Sequence, residues 1–210
     1  MPHYDNYEML QSVTFRLADS LPQNVLRNLE LELNGKCADD NELEKNKRIE
    51  IEKWLDSGKG CCALANSKMA AVMQDALLKF DGERYDLIAW CIMPNHVHVL
   101  INQKYPLGRI VQSWKSYTGR YGLKHNAELE LGVPGGGGLK HNAELELGVP
   151  GRGGGTGRFW MREYWDRYIR DERHLYSVIE YIQNNPVKAG LCKTACDWQW
   201  SSAGYWKVFG

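Results

Sequence analysis

Met93-Pro94-Asn95-His96-Val97-His98-Val99-Leu100-Ile101 sets two histidines one residue apart in an apolar run that follows a two-residue turn. Side chains on a strand alternate faces, so His96 and His98 point one way while Val97, Val99 and Ile101 point the other. Two imidazoles side by side suit a single metal ion. Upstream, Tyr85 to Met93 reads as a buried strand, Pro94-Asn95 as the turn, and His96 to Asn102 as the antiparallel neighbour. This hairpin is expected at the centre of the sheet.

Working outward, Val13 to Leu17 has strand character, and Ser20 is expected to cap a helix from Pro22 to Leu33 with Leu26, Leu29 and Leu33 on one face. A second helix is expected from Asp40 to Asp56, ending at Gly58. Ser67 opens a third, in which Met69, Val72, Met73, Ala76, Leu77 and Phe80 recur at helical spacing until Asp81-Gly82 stops it. Arg109 to Tyr121 reads as a helix carrying Ile110, Trp114, Tyr117 and Tyr121. Trp165 to Arg170 alternates as a strand, and Asp171 caps a helix from Glu172 to about Asn184, buried along Leu175, Val178, Ile179 and Ile182. Pro186 is expected to end that helix, because the residue before a proline is pushed out of helical geometry.

Between these elements the sequence repeats itself. Gly122 to Gly135 recurs residue for residue as Gly138 to Gly151, and a glycine-rich run to Gly157 follows. Two copies are too few to stack into a repeat array, which needs about three units. Residues 122–157 are therefore expected to be a flexible duplicated insertion within one domain spanning 1–210, which makes His125 and His141 poor ligand candidates.

At 210 residues, with 43% hydrophobic and 25% charged, the chain can fill one core. Its six cysteines include no Cys-x-x-Cys pair and Met1 to Gln11 holds no apolar run resembling a signal peptide, so a cytoplasmic protein with reduced thiols is expected. No stretch approaches the roughly 18 apolar residues of a membrane span. The net charge of zero is unevenly distributed. Asn102 to Asn126 holds Lys104, Arg109, Lys115, Arg120 and Lys124 and no acid, with Trp114, Tyr117 and Tyr121 interleaved. Such a stripe either binds a nucleic-acid backbone and stacks bases, or is a solvated helix whose aromatics face the core. For the first reading the nominated DNA-binding residues are Arg109, Lys115, Arg120, Arg162, Arg167 and Arg170.

A His-x-His pair on a strand also occurs in cupins, in amidohydrolase barrels and in hydrogen-bonded cores. The first needs many short strands, and the second a far longer chain of repeated strand-helix units; long helices with few strands fit neither. On the helix after Asp171, Tyr181 and Asn185 lie only about 40° apart around the axis, whereas Gln183 and Asn184 point elsewhere. Read alone, Tyr181 is a half-buried packing residue. Paired with Asn185, an oxygen ligand one turn away, it completes a two-histidine, one-amide set for a divalent cation beside a phenol nucleophile.

The segments Met93 to Leu100, Phe159-Trp160, Trp165 to Arg170 and Tyr181-Ile182-Gln183-Asn184-Asn185-Pro186-Val187-Lys188-Ala189-Gly190-Leu191 together closely resemble the REP-associated tyrosine transposases, which group with the small insertion-sequence transposases among the HUH single-strand endonucleases. The resemblance runs from about Val13 to Trp206. It implies an α+β fold of HUH endonuclease type, a ferredoxin-like antiparallel sheet with packed helices and both histidines on a central strand. It implies His96, His98 and Asn185 as metal ligands and Tyr181 as the nucleophile that forms a 5′-phosphotyrosine link and leaves a 3′-hydroxyl. The implied cofactor is Mg2+ or Mn2+, and the implied partner is single-stranded DNA flanking a hairpin-forming palindromic repeat, cut and rejoined by a monomer or homodimer. Ligand softness favours zinc, nickel or manganese over magnesium beside two imidazoles, and manganese is expected to bind more tightly than magnesium. The other class of function is a domesticated protein that binds the hairpins without turnover; intact His96, His98, Tyr181 and Asn185 favour the enzyme.

Overall fold

In the computed structural model the described residues are 9–34, 39–58, 60, 62–125 and 158–209. Four strands form one antiparallel sheet: β1 (Leu10–Arg16), β2 (Tyr85–Ile92), β3 (His96–Gln103) and β4 (Trp165–Tyr168), in the order β2-β3-β1-β4. Between β1 and β2 lie α1 (Gln23–Asn34), α2 (Asp40–Asp56) and α3 (Ser67–Leu78); α4 (Leu107–Lys124) connects β3 to β4, and α5 (Glu172–Lys188) and α6 (Ser202–Phe209) follow. With β1 and β3 central, this is the expected ferredoxin-like α+β arrangement, and His96 and His98 stand on an inner strand.

The sheet is covered on both faces. Val13, Phe15, Val97, Val99 and Ile101 join Met69, Met73 and Leu77 of α3 and Ile110 and Trp114 of α4 in the main core. Ala89, Cys91, Met93 and Leu100 on the other face pack against Ile182, Val178 and Ile179 of α5. Strict alternation along β2 breaks between Leu87 and Ala89, where an irregularity shifts the register. Ile88 and Ala89 consequently both turn to the α5 face, and Trp90 and Ile92 return to the main core. Beyond β2 the edge is protected: Cys91 bridges Ser201, and the Ile92 amide donates to the Trp200 carbonyl at 2.8 Å. No helix among the described residues is long and apolar enough to cross a membrane.

Trp114 belongs to the scaffold. It is 1% exposed, packs edge-on against Tyr85 with centroids 5.2 Å apart, and donates its Nε1–H to the Tyr85 hydroxyl at 2.9 Å. Tyr85 in turn donates to the Leu77 carbonyl, tying α4, β2 and α3 together. Of the two readings of the aromatic stripe, the core-facing one holds for Trp114, whereas Tyr117 is 48% exposed. Trp114→Ala should lower unfolding free energy by about 3–5 kcal/mol, read as a shift in urea midpoint at unchanged slope.

Several boundaries differ from the sequence expectation. Ser20 does not cap α1: its hydroxyl donates to the Leu17 carbonyl at 2.8 Å and receives the Arg16 guanidinium, holding the turn after β1. The third helix is capped by Asn66, whose side chain accepts from the Lys68 and Met69 amides, and it ends at Leu78. The fourth strand stops at Tyr168 rather than Arg170. Pro186 does not end α5, which continues to Lys188. Both Asn185 and Pro186 are buried, and this packing outweighs the local disfavour, since a proline so near the end forfeits a single hydrogen bond. Nor is residue 122 the start of a flexible insertion. Gly122 to Lys124 continue α4, and a Cβ at Gly122 would meet the Phe159 ring at 2.3 Å, so the glycine is there to let Phe159 lie against the helix. The rest of the duplicated segment, 126–157, lies outside the described residues.

Candidate active site

Antiparallel pairing sets Thr14 opposite His98 and Arg16 opposite His96, so these side chains share the face opposite the main core. The Thr14 hydroxyl lies 2.8 Å from His98 Nδ1. On His96, Nδ1 lies 2.7 Å from Asn95 Oδ1, and the Asn95 Nδ2–H donates to the Leu55 carbonyl at 3.1 Å. Because that carbonyl only accepts, the orientation of the Asn95 amide is settled, and its oxygen faces His96. His96 Nδ1 therefore carries the proton, and Nε2 presents its lone pair towards His98 Nε2, 2.9 Å away. Burial, with His98 adding to it, holds His96 well below the ordinary imidazole range, and burial followed by the Arg48 charge lowers His98 to about 3. Both rings are neutral at pH 7; His96 Nε2 offers its lone pair, which accepts the His98 Nε2–H when no cation is bound.

The last turn of α2 supplies a carboxylate that the sequence reading missed. Asp56 Oδ1 lies 3.6 Å from His96 Nε2, and one ligand atom from each of Asp56, His96 and His98 falls within 4.8 Å of the others. Burial first, then Glu52, raise the Asp56 carboxyl to about 6, with Lys188 opposing. Its sequence signal was the spacing Arg48, Glu52, Asp56, which places one residue per turn on a single helix face but looks the same on any solvated acidic helix.

On α5, whose N-terminus is capped by Asp171 accepting from the His174 amide, Tyr181 sits edge-on to His98 with ring centroids 5.4 Å apart. Lys188 Nζ lies 4.8 Å from the centre of the Tyr181 ring. Burial raises the phenol above its ordinary value, reinforced by Glu52 and Asp56, while the Asn185 amide and Arg48 pull the other way. Tyr181 also opens onto a cleft of about 250 Å³ lined by Ser177, Glu180, Asn184 and Lys188. Asn185, one turn on, is 0% exposed, and neither of its amide atoms has a hydrogen-bond partner at bonding geometry. A buried amide left unsatisfied costs about 1–3 kcal/mol. The donors that the structure brings together, two imidazole nitrogens and the Asp56 carboxylate oxygen, fit a divalent transition cation such as Mn2+.

The nominated basic residues do not gather at this site. Arg109 and Arg120 are exposed on α4, which packs on the opposite face of the sheet. Lys115 spends its ammonium on the scaffold, donating to the carbonyls of Met161, Arg162 and Glu163 at 3.0, 3.1 and 3.1 Å. Burial lowers it to about 8, opposed by Glu163 and helped by Arg16. Arg162 and Arg170 are exposed, and so is Arg167, which pairs with Ser12 and so shares the histidine face. Lys115→Met should therefore destabilise the fold by about 1–2 kcal/mol through its lost hydrogen bonds, with any DNA affinity keeping its salt dependence. Arg167→Ala should instead flatten a plot of log affinity against log salt by about 0.7.

Comparison with known proteins agrees with the motifs. Residues 65–135 match the family model described as transposase IS200 like, a span that contains both histidines and stops short of Tyr181. Over 43 residues, 20% of this chain, the sequence is 42% identical to a Haemophilus influenzae protein whose name assigns it to the REP-associated tyrosine transposases. The chain spans about a quarter, 24%, of that relative's length. The fold matches a solved structure of a REP-associated tyrosine transposase bound to a REP hairpin, with TM-score 0.51 and 15% identity over 98% of this chain and 84% of the other. By local sequence and by fold, the chain is similar to the REP-associated tyrosine transposases, as the segments around His96, Trp165 and Tyr181 indicate.

Proposed function

We propose that the protein is a tyrosine endonuclease and transposase that cleaves and rejoins single-stranded DNA beside hairpin-forming palindromes. The observation that carries this reading is the single face on which the His96–His98 pair meets the Tyr181 ring, 5.4 Å from His98. In the proposed step the Tyr181 oxygen bonds to phosphorus as the bond from phosphorus to the 3′ oxygen breaks. The phenol loses its proton, the departing 3′ oxygen gains one, and the strand is left as a 5′-phosphotyrosine and a free 3′-hydroxyl. Reversal by a second 3′-hydroxyl rejoins DNA.

His96, His98 and Asn185 would hold the divalent cation, Mg2+ or Mn2+, whose contribution is to polarise a nonbridging phosphate oxygen and offset charge in the transition state. The chain's own groups make that help necessary. Tyr181 ionises with difficulty, because it is largely buried and faces the acids Glu52 and Asp56. Lys188 over its ring and Arg48 supply part of the compensating positive charge. Arg167, on the histidine face, and the exposed Arg162 and Arg170 are the groups proposed to meet the DNA backbone, and Arg109 and Arg120 would serve only a strand that passes around to α4.

The test is to incubate the protein with end-labelled single-stranded repeat DNA and Mn2+. The expected product migrates as protein carrying covalent DNA. Retention of the hairpin without any adduct would identify a binder without turnover.

A further inference from the structure

Asp56 has no hydrogen-bond partner for its buried Oδ1, and His96 Nε2 faces that oxygen at 3.6 Å, beyond hydrogen-bond length. Asn95 determines what that nitrogen offers. By accepting the Nδ1 proton of His96 it leaves Nε2 with a lone pair, so a carboxylate oxygen and an imidazole lone pair point at one another. His98 Nε2 closes the third side, 2.9 Å from His96 Nε2. In the metal-free protein His98 donates its Nε2–H to that lone pair while the Thr14 hydroxyl donates to His98 Nδ1; a cation takes the place of this shared proton between the imidazoles and also answers the buried Asp56 Oδ1 that faces the same lone pair.

Asn95 also explains how a carboxylate from α2 reaches strand β3. Its Nδ2–H grips the carbonyl of Leu55, the residue before Asp56, while its Oδ1 holds His96. One fully buried amide, 0% exposed, thus fixes the imidazole tautomer and the last turn of α2 together. On the far side of Asp56, the Arg48 Nε–H donates to Glu52 Oε1 at 3.1 Å. Glu52 is thereby paired within its own helix, whereas Asp56 is directed at the histidines.

We propose that Asp56 is a carboxylate ligand of the metal centre and that Asn95 is the residue that positions it. This rests on the reading of His96 and His98 as metal ligands. Two imidazoles with carboxylate and amide oxygens form a harder donor set than two imidazoles with one amide. That set suits Mn2+ and brings Mg2+ within reach, where nitrogen donors alone would favour zinc or nickel.

The experiment measures Mn2+ binding to the DNA-free protein by calorimetry and by the loss of the free-ion electron paramagnetic resonance signal, with circular dichroism confirming the fold. Asp56→Asn, which keeps shape and removes charge, is expected to weaken Mn2+ by at least about tenfold, and Asn95→Ala by about 10- to 100-fold, the range for residues that orient a ligand. Asn95→Asp separates the two contacts: it still accepts from His96 and cannot donate to Leu55. Nitrogen-15 shifts should then show the His96 Nδ1–H tautomer intact while affinity falls. Wild-type affinity in Asp56→Asn, with His96→Ala and His98→Ala binding no Mn2+, would overturn the role of Asp56 and leave the histidine centre standing. Wild-type affinity and tautomer in Asn95→Ala would overturn the role of Asn95. Undiminished Mn2+ binding in both histidine variants would mean that the underlying metal reading itself had failed.

Discussion

Tyr181→Phe is expected to abolish covalent adduct formation while leaving the fold intact. The substitution removes one oxygen from a side chain whose ring contributes the packing, edge-on to His98 and against the α5-face core. Loss of a half-buried hydroxyl should change stability by no more than about 1 kcal/mol. Cleavage, in contrast, loses the phenol that stands against the histidine pair. Tyr176 is 62% exposed on α5, Tyr117 is 48% exposed on α4 across the sheet, and Tyr121 stacks on His125 with centroids 4.4 Å apart. Tyr168 pairs with Gln11 on the sheet edge, and Tyr164 lies against Lys115 and the main core. Mapping the adduct by peptide mass spectrometry should locate DNA on Tyr181. Adduct on any of those five tyrosines, or undiminished adduct in the phenylalanine variant, would refute the assignment.

The part of this site that is legible in the sequence is the part that obeys a short period. His96 and His98 share a face because a strand repeats every two residues, and Tyr181 and Asn185 because a helix brings every fourth residue back. The hairpin, the cap at Asp171 and the span of α2 follow from equally local rules. Asp56 is different: its approach to His96 depends on the angle at which α2 meets the sheet, and that angle is set by contacts such as Asn95 with Leu55, 40 residues apart. Lys115 shows the converse. A lysine in an acid-free stretch reads as a phosphate contact, yet three carbonyls from the segment after the duplicated region take its protons. The register shift in β2 and the run of α5 through Pro186 are likewise tertiary choices that override a local preference. Local periodicity thus brings His96, His98 and Tyr181 to one place, whereas local charge does not gather the nominated cations, because an exposed cation's role depends on which face of the sheet carries it.

Removing the metal site should have the second large effect. His96→Ala, His98→Ala or a chelator is each expected to reduce cleavage to background while hairpin binding survives, because the histidines are buried and the exposed arginines that would contact the backbone, Arg167 among them, are left unchanged. Asn185 gives this prediction its sharpest form. An ordinary buried side chain stabilises the fold, and its replacement lowers both stability and activity. Asn185 is 0% exposed with its amide unsatisfied, so Asn185→Leu, close in volume, should relieve a penalty of about 1–3 kcal/mol and raise the melting temperature of the metal-free protein. The same change removes an oxygen donor from the proposed centre and should weaken Mn2+ and slow cleavage. Asn185→Ala should impair cleavage less than either histidine variant, since water can enter the space and replace one neutral oxygen ligand. Opposite movements of stability and metal affinity in Asn185→Leu are what a ligand held at the expense of the fold must show. A fall in stability with unchanged Mn2+ binding would mark the amide as a packing residue and leave the cation to His96, His98 and Asp56.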